Sequence, residues 1–74
     1  MPKSKARKIA DAADVIVGGY AMLRHKRGVR IVNLFSGHVA LVSKEFEVLA
    51  TDMEDIEATI AVNRLRDNIE FMAA

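Results

Sequence analysis

The 74-residue sequence has no cysteine, no tryptophan and a single proline. The lack of cysteine excludes disulfide bonds, zinc–thiolate sites and cysteine nucleophiles. Long apolar runs are also missing: the longest uncharged stretch before Arg24 is the nine residues 15–23, against about 20 for a membrane-spanning helix. Asp11 and Asp14 interrupt the apolar region that a signal peptide would need after the basic residues 1–8. We therefore expect a cytoplasmic protein without a membrane anchor.

The composition is that of a small globular protein, with 51% hydrophobic and 28% charged residues. The length corresponds to one domain, residues 1–74, and we expect residues 1–5 to form a flexible basic tail. A chain of this size buries only about 60% of the surface that its unfolded form exposes. Contact with a second molecule, which would bury more of the surface, would therefore help to stabilise the chain.

The spacing of apolar residues predicts an α+β fold. Alanine and isoleucine recur at helical spacing from Ser4 onward, which predicts an N-terminal helix that ends at Gly18–Gly19 and has residues 15–17 as its last turn. The pattern then changes to short runs rich in β-branched residues, separated by turns at 26–28, 36–37 and 44–45. These runs predict an antiparallel meander of three to four strands, at residues 20–25, 29–35, 38–43 and 46–50.

A long C-terminal helix follows the predicted meander. The pattern Thr51-Asp52-Met53-Glu54 resembles a capping box, so Thr51 or Asp52 is the predicted N-cap. No glycine or proline interrupts the chain from there to about Phe71. The predicted fold is therefore an N-terminal helix, a three- to four-stranded antiparallel β-meander and a long C-terminal helix.

The C-terminal helix carries two apolar stripes on nearly opposite sides. The first stripe contains Met53, Ile56 and Ile60, and the second contains Val62, Leu65, Ile69 and Met72. One sheet covers one helix face, so we expect the first stripe to pack on the sheet. The second stripe then needs cover from the N-terminal helix or from another molecule, and we expect it to form a protein interface. The strand at residues 29–35 is apolar on both sides, which also favours a covering molecule. Alternatively, the helix kinks or ends near Asn63 and all of these residues are buried within a monomer.

Charge is divided between the two halves of the chain. Residues 1–37 hold eight Lys and Arg against two Asp, a net charge of +6, whereas residues 38–74 hold three against eight acids, a net charge of −5. Three interpretations stay open: a surface of solvated charges, complementarity between the halves or between two copies, and an anionic partner.

A basic turn is the best candidate for contact with an anion or a nucleic acid. Its residues are Arg24, His25, Lys26, Arg27 and Arg30. The sequence pI of about 8.1 lies below the value of about 9 that is typical of nucleic-acid-binding domains. Cations at strand ends also protect sheet edges from aggregation, which is the alternative role.

The sequence offers no defensible catalytic or cofactor motif. Ser36 and His38 lie close in sequence, but no strand–turn–helix elbow frames the serine. The acids at 52–57 lack the spacing of a calcium loop and fit the start of a helix instead. No glycine-rich phosphate loop is present. We therefore predict no catalytic residue, no cofactor and no metal site.

These observations predict a non-enzymatic interaction module that self-associates and acts as an adaptor or accessory subunit. The interface would be Val62, Leu65, Ile69 and Met72 with one face of the sheet. The alternative is a small nucleic-acid-binding protein that uses the basic turn and the basic N-terminus. Salt-sensitive binding to any duplex would favour the alternative, whereas an oligomer without affinity for nucleic acid would favour the interaction module.

Overall fold

The structure is a computed structural model that describes residues 8–9 and 12–72. It contains an antiparallel sheet followed by one helix, which confirms the α+β class. The elements are β1 (Val15–Val17), β2 (Tyr20–His25), β3 (Gly28–Asn33), β4 (Val39–Val42), β5 (Val48–Thr51) and α1 (Asp55–Met72). The strands lie in the sheet in chain order, and each pairs antiparallel with the next. The meander is therefore confirmed, with five strands instead of the predicted three to four.

The β2–β3 hairpin lies where the sequence predicts it, although Gly28 belongs to β3 and not to the turn. Lys26 and Arg27 form its turn, and His25 pairs with Gly28. Gly28 has φ 149°, and a Cβ atom there would collide with the carbonyl oxygen of Val42. A glycine is therefore needed at this position, because the chain approaches the end of β4 too closely for a side chain.

The extra strand, β1, corrects the predicted end of the N-terminal helix. Val15–Val17 pairs with β2, and Gly18 and Gly19 connect the two strands with φ of 57° and 82°. A two-residue turn with positive φ at both positions matches the twist of a hairpin, so the glycines reverse the chain here. Residues 4–7, 10 and 11 of the predicted helix, and the predicted tail, lie outside the described residues. Of the described residues before β1, Lys8, Ile9 and Ala12 have helical backbone conformation, but the described residues there do not make up a continuous helix.

The start of α1 also differs from the prediction. The helix begins at Asp55, and its first backbone hydrogen bond runs from Ala58 N to Glu54 O at 2.8 Å. Thr51 is instead the last residue of β5. Its hydroxyl donates to Val39 O at 2.7 Å, and the Asp52 carboxylate accepts from Val39 N at 2.8 Å. Thr51 and Asp52 therefore fasten β5 to β4 and do not cap α1.

The core lies between α1 and one face of the sheet, which we call the near face. Leu65, Ala61 and Met72 of α1 are buried there against residues of β2, β3 and β4. Leu65 is 1% exposed, whereas Ile56 is 78% exposed. The second stripe therefore packs on the sheet through Leu65 and Met72, contrary to the prediction. In the first stripe, Ile56 and Ile60 are exposed and Met53 is buried. Small alanines beside Leu65 let the helix lie close to the sheet, and this favours the second stripe as the packed face.

The sheet has two ends that differ in character. The tip end holds the Lys26–Arg27 turn, the β4–β5 turn at residues 43–47 and the end of α1. The loop end holds the Gly18–Gly19 turn, the β3–β4 loop at residues 34–38 and the start of α1. Among the described residues, no helix has the length and apolar character needed to cross a membrane.

Candidate interaction site

A groove of about 400 Å³ opens at the tip end, between the turns and the C-terminal half of α1. We call it the tip groove. Its floor is apolar and consists of Val29, Phe46, Leu65, Ile69 and Met72. Its rim carries Arg24, His25 and Lys44, and no Asp or Glu is found among the described residues that line it. An apolar floor with a cationic rim suits a ligand that has an apolar body and a negative charge.

Three of the four predicted interface residues lie in the tip groove. Leu65 and Met72 are 1% and 6% exposed, so they belong to the core of the chain itself. Ile69 is 39% exposed and provides accessible apolar surface. Val62 lies in a different groove, beside β5. Burial of Leu65 and Met72 within the chain contradicts the expectation that a second molecule must cover them, because the near face of the sheet already does so.

Phe46, on the floor of the tip groove, has an unusual backbone conformation. It lies in the β4–β5 turn with φ 64°, a region that bulky residues rarely adopt. Its ring packs against the core, and the guanidinium carbon of Arg66 lies 5.3 Å from the ring centroid. The ring packing and the cation–π contact stabilise the strained conformation.

The structure divides the predicted basic contact into three places. Arg24 is at the rim of the tip groove, where it pairs with Asp14 through Nε–Oδ1 at 3.9 Å and through its backbone N–H at 2.9 Å. Arg30 lies on the other face of the sheet, because its neighbour Ile31 faces α1. Lys26 and Arg27 form the turn, and no ion pair within residues 8–9 and 12–72 involves either of them.

His25 shares the rim of the tip groove with Arg24. Its Nδ1 accepts a hydrogen bond from the backbone N–H of Arg27 at 3.1 Å. This bond fixes the imidazole against the turn. Arg24 and His25 of the predicted basic turn thus line the same groove as apolar residues of α1, and His25 also lines a second groove with Arg30.

A polar cluster at the loop end connects the β3–β4 loop with α1. Glu57 Oε2 accepts from Asn33 Nδ2 at 2.8 Å and from the Ser36 hydroxyl at 3.0 Å, and Glu57 Oε1 pairs with His38 Nδ1 at 2.8 Å. The hydrogen bond with His38 lowers the pKa of Glu57, and the same bond raises the pKa of His38. His38 is therefore protonated up to a higher pH, and Glu57 is ionised down to a lower pH, than either group would be without the other.

The geometry of this cluster fits a structural role. A serine nucleophile needs an imidazole that accepts its proton, as in Ser–His–Asp sites. Ser36 instead donates to Glu57, and its oxygen accepts from the backbone N–H of His38 at 3.1 Å. The cluster thus holds the loop against α1. Within the described part of the chain, no group of three or more His, Cys, Asp or Glu side chains is arranged to hold a metal ion.

Comparison with known proteins gives one match. A family model matches residues 3–72. The chain belongs to the family of unknown function DUF7723. No curated protein and no solved structure matches the chain. For this member of DUF7723, function must therefore be argued from geometry and charge.

Sequence reasoning missed the Glu57 cluster and the part that Phe46 and Lys44 play in the tip groove. The partners of Glu57 lie 19 to 24 residues away, so no local pattern shows them. Asn33 gives the only local signal, since an asparagine after a strand is typical of a turn. The sequence predicts a turn at Lys44, but only the path of α1 across the sheet brings Ile69 into the same groove.

Proposed function

We propose that this chain is a non-enzymatic interaction module, an adaptor or accessory subunit of the cytoplasm, that binds an acidic segment of a protein partner in the tip groove. The observation that carries the proposal is the meeting of Ile69 and Phe46 with Lys44 and Arg24 around one groove. Three of the four predicted interface residues and two of the five predicted basic residues thereby contribute to one site.

The apolar floor supplies affinity. A groove of about 400 Å³ accepts a large apolar side chain, and Ile69 leaves accessible surface for it to contact. Full burial of one such side chain contributes about 1.5–3 kcal/mol. Phe46 supports this interpretation, because strained backbone conformations cluster at binding sites.

The rim supplies specificity. Lys44 is exposed, and no ion pair among the described residues involves it. Cations around an apolar floor favour partners that carry aspartate or glutamate beside the inserted side chain, and they speed the encounter with such partners. A second copy of the chain is the competing occupant, since residues 38–74 have a net charge of −5.

An acidic peptide with one tryptophan tests the proposal directly. Because the chain has no tryptophan, the emission of the peptide reports binding without interference. We expect Lys44→Glu and Ile69→Glu to weaken binding, each by about tenfold or more. The matched controls are Lys26→Glu and Ile56→Glu, which make the same changes outside the groove and should leave binding nearly unchanged.

Three results would contradict the proposal. Equal weakening by Lys44→Glu and Lys26→Glu would indicate general electrostatic attraction. A wild-type dimer in light scattering that Ile69→Glu dissociates would assign the groove to a second copy. Salt-sensitive binding to duplex DNA that Lys26→Glu weakens would favour the nucleic-acid alternative.

A further inference from the structure

The edge strand β5 presents an open edge on the side away from β4. It is the last strand of the sheet, and all four of its residues are exposed, including Val48 at 42%. Ser43 N donates to Glu47 O at 2.8 Å, and Asp52 N donates to Val39 O at 3.3 Å, so Glu47 and Asp52 face the β4 side. The β4–β5 register shifts between Leu41 and Val42, which leaves one extra residue in β5. Val48 and Thr51, the neighbours of Glu47 and Asp52, therefore both direct their backbone groups outward although they are three residues apart.

A groove of about 450 Å³ runs between this edge and α1. We call it the strand groove. Val48 and Thr51 form its wall on the sheet, and Ala58 and Val62 form its wall on the helix. These side chains are short, so they leave room for side chains of another molecule. In an extended chain paired with β5, every second side chain would enter the groove.

We propose that the strand groove binds an extended peptide of another protein, which adds to β5 as a sixth, antiparallel strand. Backbone hydrogen bonds to Val48 and Thr51 would hold the peptide, and small apolar side chains would fill the groove. This site is separate from the tip groove, with the stacked pair of Phe46 and Arg66 between them.

Charges at the two ends of the strand groove select the peptide. Asp55 lies at the end near Thr51, and Arg66 lies at the end near Val48, where it stacks on Phe46. The carboxyl end of an antiparallel peptide lies beside Val48 and hence near Arg66. The groove therefore favours a peptide with a basic residue at its amino end and an acidic residue or a terminal carboxylate at its carboxyl end.

Charge also argues against a second copy as the occupant. Two β5 strands paired about a two-fold axis between residues 49 and 50 would place Glu47 of one copy opposite Asp52 of the other, at both ends. Like charges directly opposite each other in an antiparallel pair are destabilising. The occupant is therefore a segment of a different protein.

A pair of labelled hexapeptides tests the proposal with the full chain. The first has lysine at its amino end, alternating valine and threonine, and aspartate at its carboxyl end. The second exchanges the two charged residues. We expect the wild type to prefer the first peptide, and the double variant Asp55→Lys, Arg66→Asp to prefer the second, each by about three- to tenfold. Amide exchange of Val48 and Thr51 should slow when the first peptide binds.

A blocking variant and a matched control separate this site from the tip groove. Asn63→Trp places a bulky ring in the strand groove and should abolish peptide binding, whereas Asp67→Trp lies outside the groove and should not. Lys44→Glu, which alters the tip groove, should leave hexapeptide binding unchanged. Equal binding of the two hexapeptides, binding that survives Asn63→Trp, or slow exchange of Val48 in a wild-type dimer without peptide would overturn the proposal.

Discussion

At the loop end of the sheet, a cluster of polar side chains joins a loop to α1, whereas at the tip end cationic side chains line the surface and Arg24 pairs with Asp14. Glu57 joins Asn33, Ser36 and His38 at the loop end. Asp52 and Thr51 bond to the backbone of Val39 in the same region. The tip end is held instead by the close approach of Gly28 to β4 and by the burial of Leu65 and Met72.

This difference indicates where a partner can bind at little cost to stability. A side chain that already satisfies a hydrogen bond in the fold loses that bond when it turns to a ligand. At the tip end, neither Lys26 nor Lys44 forms an ion pair with another described residue. The tip groove therefore combines a floor that the fold keeps rigid with a rim on which Lys44 is available to a ligand.

The prediction with the largest expected effect on stability tests whether the residues on the floor of the tip groove also belong to the core. Leu65→Ala removes a side chain that is 1% exposed, so we expect a loss of about 2–5 kcal/mol in the free energy of unfolding. Ile56→Ala is the matched control, because Ile56 is 78% exposed and should change stability by less than about 0.5 kcal/mol. Urea unfolding measures both. Similar losses for the two variants would show that α1 packs with another face toward the sheet.

The next test concerns the backbone of the tip end. Gly28→Val places a branched side chain where φ is 149° and where the Val42 carbonyl oxygen blocks the Cβ position. We expect a loss of about 1–3 kcal/mol or more in the free energy of unfolding. Lys26→Ala, in the same turn, serves as the control and should be nearly neutral. A neutral Gly28→Val variant would mean that β3 and β4 lie farther apart at this end.

The hairpin could be predicted from sequence because its signals are local. Tyr20–His25 is rich in apolar and bulky residues, and the glycine at 28 follows two cations that form the turn. The same kind of signal was present in Val15–Val17, whose β-branched residues favour a strand. This strand signal does not decide the structure by itself, because Gly18–Gly19 is equally typical of a helix end and of a hairpin turn. Pairing with β2 decides between the two.

The candidate site depended on contacts that sequence does not show. Both stripes of α1 are apolar enough to pack on a sheet, and only the path of the helix decides that Leu65 is buried and Ile60 is not. Glu57 fits the first turn of a helix equally well with or without partners. The separation between Asn33 and Glu57, 24 residues, puts their hydrogen bond beyond any local pattern.

A smaller effect is expected where the loop end joins β5. Asp52→Ala removes the acceptor of Val39 N, and Thr51→Ala removes the donor to Val39 O. Each substitution should cost about 0.5–1.5 kcal/mol in the free energy of unfolding. Asp67→Ala, on the exposed side of α1, is the control for loss of a negative charge. If Asp52→Ala were no more destabilising than this control, the bond to Val39 would contribute no net stability.

The smallest effect comes from the pair of Glu57 and His38, because His38 is 43% exposed and water screens the interaction. The hydrogen bond raises the pKa of His38 above its ordinary value of 6.5, so its contribution is complete below pH 6.5 and is lost as the pH rises through the raised value. The pKa of Glu57 is lowered below 4.5, so its contribution is present above pH 4.5 and is lost as the pH falls through the lowered value. The pair therefore stabilises the fold most between these limits.

Glu57→Gln should thus lower the melting temperature most between pH 4.5 and 6.5, with a smaller difference from the wild type at higher pH. His25→Gln is the matched control, since His25 lies at the tip end and bonds to the Arg27 backbone. NMR titration of the His38 ring provides a direct measurement. A pKa of His38 at or below 6.5 in the wild type, or one that Glu57→Gln leaves unchanged, would show that the loop end is not held by this pair. The contrast between the two ends would then rest on the bonds of Asp52 and Thr51 alone.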